Sequence, residues 1–152
     1  MKTFPMFLRM NGRRVVICGG GEDAARKARL MLKTEAEIVG LAQDLDPELS
    51  ALVAVGRAVH HAALQSDTFD RAVLVFIASG DEERDRELAA VARAAGAVVN
   101  VIDRPEMCDA YTPSIVDRDP VVVAIGTEGT APVLGRAIKT EIETMLAPRL
   151  GA

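Results

Sequence analysis

Val15-Val16-Ile17-Cys18-Gly19-Gly20-Gly21-Glu22-Asp23-Ala24 joins a β-branched apolar run to three consecutive glycines and then to a helix-forming stretch. A short apolar run closed by glycine reads as a buried strand. From Glu22 to Lys33 the period changes, and Ala24, Ala28, Met31 and Leu32 share one helix face. Set between strand and helix, Gly19-x-Gly21-x-x-Ala24 fits the dinucleotide fingerprint G-x-G-x-x-G/A. There the first glycine makes the tight turn, the second admits a pyrophosphate, and the last small residue lets helix and strand pack closely. The N–H groups of the helix N-terminus face the anion. The same glycines would also serve a turn that only joins strand to helix. Glu22 and Asp23 put negative charge beside the anion position.

Outward from this turn, Glu37 to Leu41 reads as a second strand, followed by Gln43 and Asp44 about 20 residues beyond the glycines. That is where a polar or acidic side chain meets the adenosine ribose. No arginine stands there to take a 2′-phosphate, so NAD is favoured over NADP. Asp44 and Pro47 open a helix through about Val55, and His60 to Leu64 is a weaker strand. Ala72 to Ala78 is the most apolar strand, and Val98 to Ile102 is another. Between them Ser79 and Glu82 have capping-box spacing, Leu88, Val91, Ala92 and Ala95 form an apolar face, and Gly96 ends the helix. The alternation predicts an α/β, Rossmann-like, mostly parallel sheet with helices on both faces.

After Asp103 the pattern changes. Residues Arg104 to Thr112 have loop composition, Val121 to Ile125 is strand-like, and Thr130-Ala131-Pro132 begins a last helix. Its stripe of Leu134, Ile138, Ile142 and Met145 calls for a covering surface, in a dimer or in a longer chain. The expected division is a nucleotide-binding domain over 1–112 and, over 113–152, the start of a truncated strand–helix dimerisation segment that also serves the substrate.

Composition narrows the classes. The 152 residues are 49% hydrophobic and 26% charged, enough apolar content for a full core. With a net charge of −4 and no basic stripe, neither nucleic acid nor an anionic membrane is an expected partner. Two cysteines, Cys18 and Cys108, fit a reducing, cytoplasmic setting. His60 and His61 are adjacent, so on a strand they face opposite ways and cannot chelate together. No metal site is expected.

Four blocks, taken together, are more specific than the glycine turn. They are Gly19-Gly20-Gly21-Glu22-Asp23-Ala24-Ala25-Arg26-Lys27-Ala28, Asn100-Val101-Ile102-Asp103-Arg104-Pro105, Pro113-Ser114-Ile115-Val116-Asp117-Arg118 and Gly129-Thr130-Ala131-Pro132-Val133-Leu134-Gly135-Arg136. In this order and spacing the chain resembles the precorrin-2 dehydrogenase/sirohydrochlorin ferrochelatase module of siroheme synthase.

The resemblance implies NAD-dependent oxidation of precorrin-2 to sirohydrochlorin, followed by insertion of ferrous iron, a substrate, to give siroheme. It also implies a homodimer. It carries the catalytic aspartate onto Asp103 and NAD contacts onto Glu22, Asp23, Gln43 and Asp44. Gly19, Gly20 and Gly21 complete the expected cofactor set, together with Asn100 at the nicotinamide or in the adjoining loop. Asp103 alone would read as a loop-capping carboxylate. Thr127, Gly129 and Thr130 precede a helix N-terminus suited to a tetrapyrrole carboxylate, although Thr130 equally suits plain capping. Arg118 is the expected cation there, with Arg136 as a second candidate. Thr127-Glu128 stands where the family usually has serine and glycine, and Ala131 where it often has serine. A reading from another class is a non-catalytic NAD sensor or dimerising module, which would keep the glycine turn without needing Asp103.

Overall fold

The computed structural model describes residues 1–148; the end of the expected C-terminal segment, 149–152, lies outside the described residues. Two compact units are present. Phe7–Ala110 forms one, and the chain from Tyr111 onward joins Met1–Met6 in the other.

In the larger unit five strands run β1 Arg14–Cys18, β2 Glu37–Leu41, β3 Ala58–His61, β4 Ala72–Ile77 and β5 Val98–Val101. All pair in parallel, in the order β3-β2-β1-β4-β5. Alternate side chains of one strand therefore enter different cores. Val15 and Ile17 meet α1 (Glu22–Met31) and α2 (Pro47–Ala54) through Ala24, Ala28, Met31 and Leu49. Val16 and Cys18 join Val75, Ile77, Val99 and α3 (Glu82–Ala94) on the opposite face. Val15, Val16 and Ile17 are completely buried, each worth about 1.5–3 kcal/mol of hydrophobic stabilisation. The sheet is thus the doubly wound, Rossmann-like form expected from the sequence. Its strand order reverses between β1 and β4, the position at which such sheets open a ligand crevice.

Three local readings change. β3 spans Ala58–His61, earlier than the expected His60–Leu64, because its register is set by pairing Ala58 with Ile38 through His61 with Leu41. Leu64 packs on the core from the loop beyond. The N-cap of α3 is Asp81, whose carboxylate accepts from Arg84 N, and the Ser79–Glu82 capping box does not form. The buried stripe of that helix is Asp85, Leu88, Ala89 and Ala92, while Val91 and Ala95 are exposed. Spacing alone could not choose between these two neighbouring stripes.

The smaller unit contains a strand that composition concealed. β6 Ser114–Arg118 pairs antiparallel with β7 Val121–Ile125, across a turn with a cis Asp119–Pro120 peptide. Only Val116 of β6 is fully buried, so the strand carries little apolar signature. The last helix, α4 (Pro132–Met145), packs against β6, and Gly135 is its one buried residue. A β-carbon at Gly135 would lie 3.2 Å from Thr127 Cγ2 and 3.4 Å from Ser114 Oγ, which explains the glycine. Of the expected stripe, Ile138 and Ile142 are half-buried while Leu134 and Met145 are exposed. No helix among the described residues is long and apolar enough to cross a membrane.

Candidate functional site

At the C-terminal edge of the parallel sheet, backbone hydrogen bonds run past the strands and lock the loops together. Gly19 N donates to Leu41 O at 2.9 Å, Ala78 N to Cys18 O at 2.8 Å, and Ile102 N to Ile77 O at 2.9 Å. The glycine turn is wedged among these loops. Gly19 has φ +129, and a β-carbon on it would clash with the Ala78 carbonyl. One on Gly20 would come within 3.0 Å of the Asp44 carbonyl carbon and closer still to its oxygen. Gly21 differs: a β-carbon there meets nothing within 4 Å. The first two glycines are required by the protein's own backbone. The third faces open space.

Gly21 is also the N-cap of α1, and it offers no side chain to that helix. The first helical bond beside the cap runs from Ala25 N to Gly21 O, so the preceding N–H groups lack helical acceptors. In contrast α2 is capped by Asp46, which accepts from Glu48 N at 2.9 Å, and α3 by Asp81, which accepts from Arg84 N at 2.9 Å. An aspartate in the cap occupies the position an anionic ligand would take. α1 is not blocked in this way, and neither is α4, whose N-cap Ala131 makes no side-chain bond.

The acidic residues of the turn are neutralised within their own surroundings. Glu22 pairs with Arg29 at 2.6 Å, Asp23 pairs with Arg26, and Arg29 also reaches Glu48. Gln43 and Asp44 are exposed just past β2. A neighbour that spacing did not suggest, His60 on β3, donates from Nε2 to the Ala42 carbonyl at 2.7 Å and so steadies that loop. His61 faces inward and meets the Thr68 hydroxyl at 2.9 Å.

Asp103 follows β5 on the same edge, exposed, with φ +62. Left-handed backbone is uncommon outside glycine, though aspartate and asparagine tolerate it best. Asn100 is buried, and its amide donates to Ala110 O at 2.8 Å, holding the returning loop. Lys27 of α1 has its ammonium 5.1 Å from the centre of the Phe76 ring. Burial, then the Arg26 charge, lowers its pKa. The Cys108 thiol is tied to the Val101 and Arg104 carbonyls at 3.2 and 3.3 Å, and burial raises its pKa.

In the smaller unit, Thr130 N and Oγ1 both donate to Thr127 O, at 3.0 and 2.9 Å. Thr130 thus closes the turn ahead of α4 and does not cap the helix. Gly129 has φ +76 and lies against the Tyr111 ring, and Glu128 accepts from Lys2 N. Arg118 donates from Nη1 to Asp117 O at 3.1 Å, and its buried Nε has no hydrogen-bond partner among the described residues. Among those residues no cluster of three or more His, Cys, Asp or Glu could hold a metal ion.

A doubly wound parallel sheet with an open, uncapped glycine turn at its strand-order reversal defines a dinucleotide-binding protein. The chain belongs to the NAD(P)-binding family described as "Putative NAD(P)-binding", whose model matches residues 6–114. It is 41% identical to a siroheme synthase of Methylobacillus flagellatus, over 99% of this chain and 32% of that protein. A siroheme synthase of Tolumonas auensis is 40% identical, over 100% of this chain and 32% of its own length. The chain thus spans about a third of the length of these relatives. The fold matches the solved structure of SirC, precorrin-2 dehydrogenase, with a TM-score of 0.78 at 20% identity, over 96% of this chain and 72% of that one.

Proposed function

We propose that the protein oxidises precorrin-2 to sirohydrochlorin with NAD, and that it also inserts ferrous iron to give siroheme. The observation that carries this is the uncapped N-terminus of α1 beside the open face of Gly21, with Asp103 exposed on the same sheet edge. The similarity to siroheme synthases supports the choice of tetrapyrrole.

The residues fit a dinucleotide. The first-turn N–H groups of α1 would hold the pyrophosphate, with Glu22 and Asp23 kept from repelling it by Arg29 and Arg26. Gln43 and Asp44 would take the adenosine ribose hydroxyls. No cation lies between Ala42 and Asp46 to receive a 2′-phosphate, which favours NAD. Asn100 would contribute by fixing the loop next to the nicotinamide. When bound, NAD supplies the hydride acceptor. The carboxylate of Asp103 takes the proton that leaves the macrocycle in the same oxidation. Chelation requires two further N–H protons to leave as iron enters, and the same carboxylate is the group that would receive them in turn. The metal is a substrate in transit.

We assign the substrate's acetate and propionate groups to Thr127, Gly129, Thr130 and the uncapped N-terminus of α4, with Arg118 as the cation. The protein would work in the cytoplasm as a homodimer. In support of the dimer, Val121, Val122, Val133 and Leu134 are large apolar residues between 41% and 69% exposed.

The test is to mix the protein with precorrin-2 and NAD and follow NADH and sirohydrochlorin, then to add ferrous iron and follow siroheme. NADH should rise in step with sirohydrochlorin. NAD binding without turnover would replace this reading with that of a sensor.

A further inference from the structure

Asp85 is a carboxylate in the first turn of α3 with only 5% of its surface exposed. Burying a carboxylate is costly unless hydrogen bonds compensate it, so the partners of this one reveal its role. Among the described residues the hydrogen bonds to its carboxylate come from Ser79, six residues earlier, just past β4. Asp85 Oδ1 accepts from Ser79 N at 3.0 Å and from Ser79 Oγ at 2.5 Å. Ser79 Oγ also lies 3.1 Å from Asp81 O and accepts from Asp81 N at 3.2 Å. A single buried oxygen thus fixes the backbone and side chain of Ser79.

Ser79 stands at a consequential place. The residue before it, Ala78, bonds to Cys18 O, and the Ala78 carbonyl is the group that excludes any β-carbon from Gly19. The residue after it, Gly80, has φ +83, and a β-carbon there would meet nothing within 4 Å. Gly21 and Gly80 are therefore open glycines in the loops after β1 and β4, the two strands flanking the point where strand order reverses.

We infer that Asp85 is a positioning residue for the dinucleotide: by clamping Ser79 it sets the Ser79–Gly80 backbone as the β4-side wall of the cleft, opposite the glycine turn. This rests on the dinucleotide reading above. Asp85 does not touch the ligand. It determines the path of the backbone that does.

Three variants of the full chain test it: Asp85→Ala, Asp85→Asn and Ser79→Ala. Each is titrated with NAD for its Kd and melted without ligand for its Tm. Asparagine keeps an Oδ1 that can accept both Ser79 bonds, whereas alanine keeps none. Asp85→Ala should raise the Kd by about tenfold or more, as small misplacements of a binding wall do. Asp85→Asn should restore it to within about threefold of wild type. Ser79→Ala removes the hydroxyl alone and should fall between them. If Asp85→Ala does not fold, Ser79→Ala decides: an unchanged Kd there overturns the inference. An Asp85→Ala protein that binds NAD like wild type overturns it as well. A wild-type protein that fails to bind NAD removes the dinucleotide reading itself, and the control titration identifies that outcome separately.

Discussion

The carbonyl of Asp44 stands where a β-carbon on Gly20 would have to be. Backbone occupies both sides of this approach, so neither can yield by turning a side chain. Gly20→Ala should therefore destabilise the fold by more than about 2 kcal/mol, measured by denaturant unfolding. Gly21→Ala should be tolerated by the fold, because Gly21 has φ −92 and open space around it. Its stability should stay within about 0.5 kcal/mol of wild type. Its NAD affinity should nevertheless fall at least about tenfold, since the new methyl group would occupy the pyrophosphate position. Equal NAD binding by Gly21→Ala and wild type would remove the glycine turn from the ligand site.

Asp103 combines a left-handed backbone with its proposed chemistry, and the two separate by mutation. Asp103→Ala, Asp103→Asn and Asp103→Gly should all abolish oxidation of precorrin-2. Only the alanine variant meets the full left-handed penalty, on the order of 1 kcal/mol. Asparagine should melt near wild type and glycine at or above it. Measurable turnover in any of the three would take the carboxylate out of the reaction.

Arg29 holds both Glu22 and Glu48. Arg29→Ala should leave Glu22 uncompensated beside the anion site and weaken NAD binding. The loss should be greatest at low ionic strength and shrink as salt is added, because the charges are exposed. A salt-independent loss would point to packing and not to charge.

Cys18 is completely buried, and burial pushes its thiol pKa up to about 12. An acid whose pKa is raised by folding costs no stability while both states are protonated. Above its ordinary value of 9.0 the unfolded chain ionises first, so its contribution falls as pH rises from there toward 12. The slope for one such group is about 1.4 kcal/mol per pH unit. Lys27, whose pKa is lowered by burial, acts in the opposite sense. Comparing wild type with Cys18→Ala isolates the thiol: the variant should lack this alkaline loss in urea titrations. Neither Cys18 nor Cys108 should be alkylated quickly at neutral pH before unfolding, as mass spectrometry would reveal.

The proposed dimer has its own test. Sedimentation should give twice the 16.2 kDa chain mass, and Leu134→Glu should return it to the monomer value.

The sheet was legible because its signals are local. The run Val15–Cys18 is buried on both faces, and Ala24, Ala28 and Met31 line one side of α1 with the helical period. Asp103 could be located at a strand end for the same reason. What escaped depends on contacts distant in sequence. β6 buries one residue completely, so only its partner β7 makes it a strand. Ser79-x-x-Glu82 and Asp81-x-x-Arg84 are equally plausible starts for α3. The choice was made by Asp85, whose carboxylate engages the Ser79 hydroxyl. Even Gly20, an unspecified position in the fingerprint, owes its identity to Asp44, which no local pattern discloses.

His60 grips the Ala42 carbonyl from the β3 side while Gly20 abuts Asp44 from the β1 side. Whoever tries to re-tune the protein toward the phosphorylated coenzyme will therefore be working inside a stiff frame. Exchanging the outward side chains of Gln43 and Asp44 leaves that frame intact, whereas grafting a foreign loop of different length would have to rebuild the neighbours on either side.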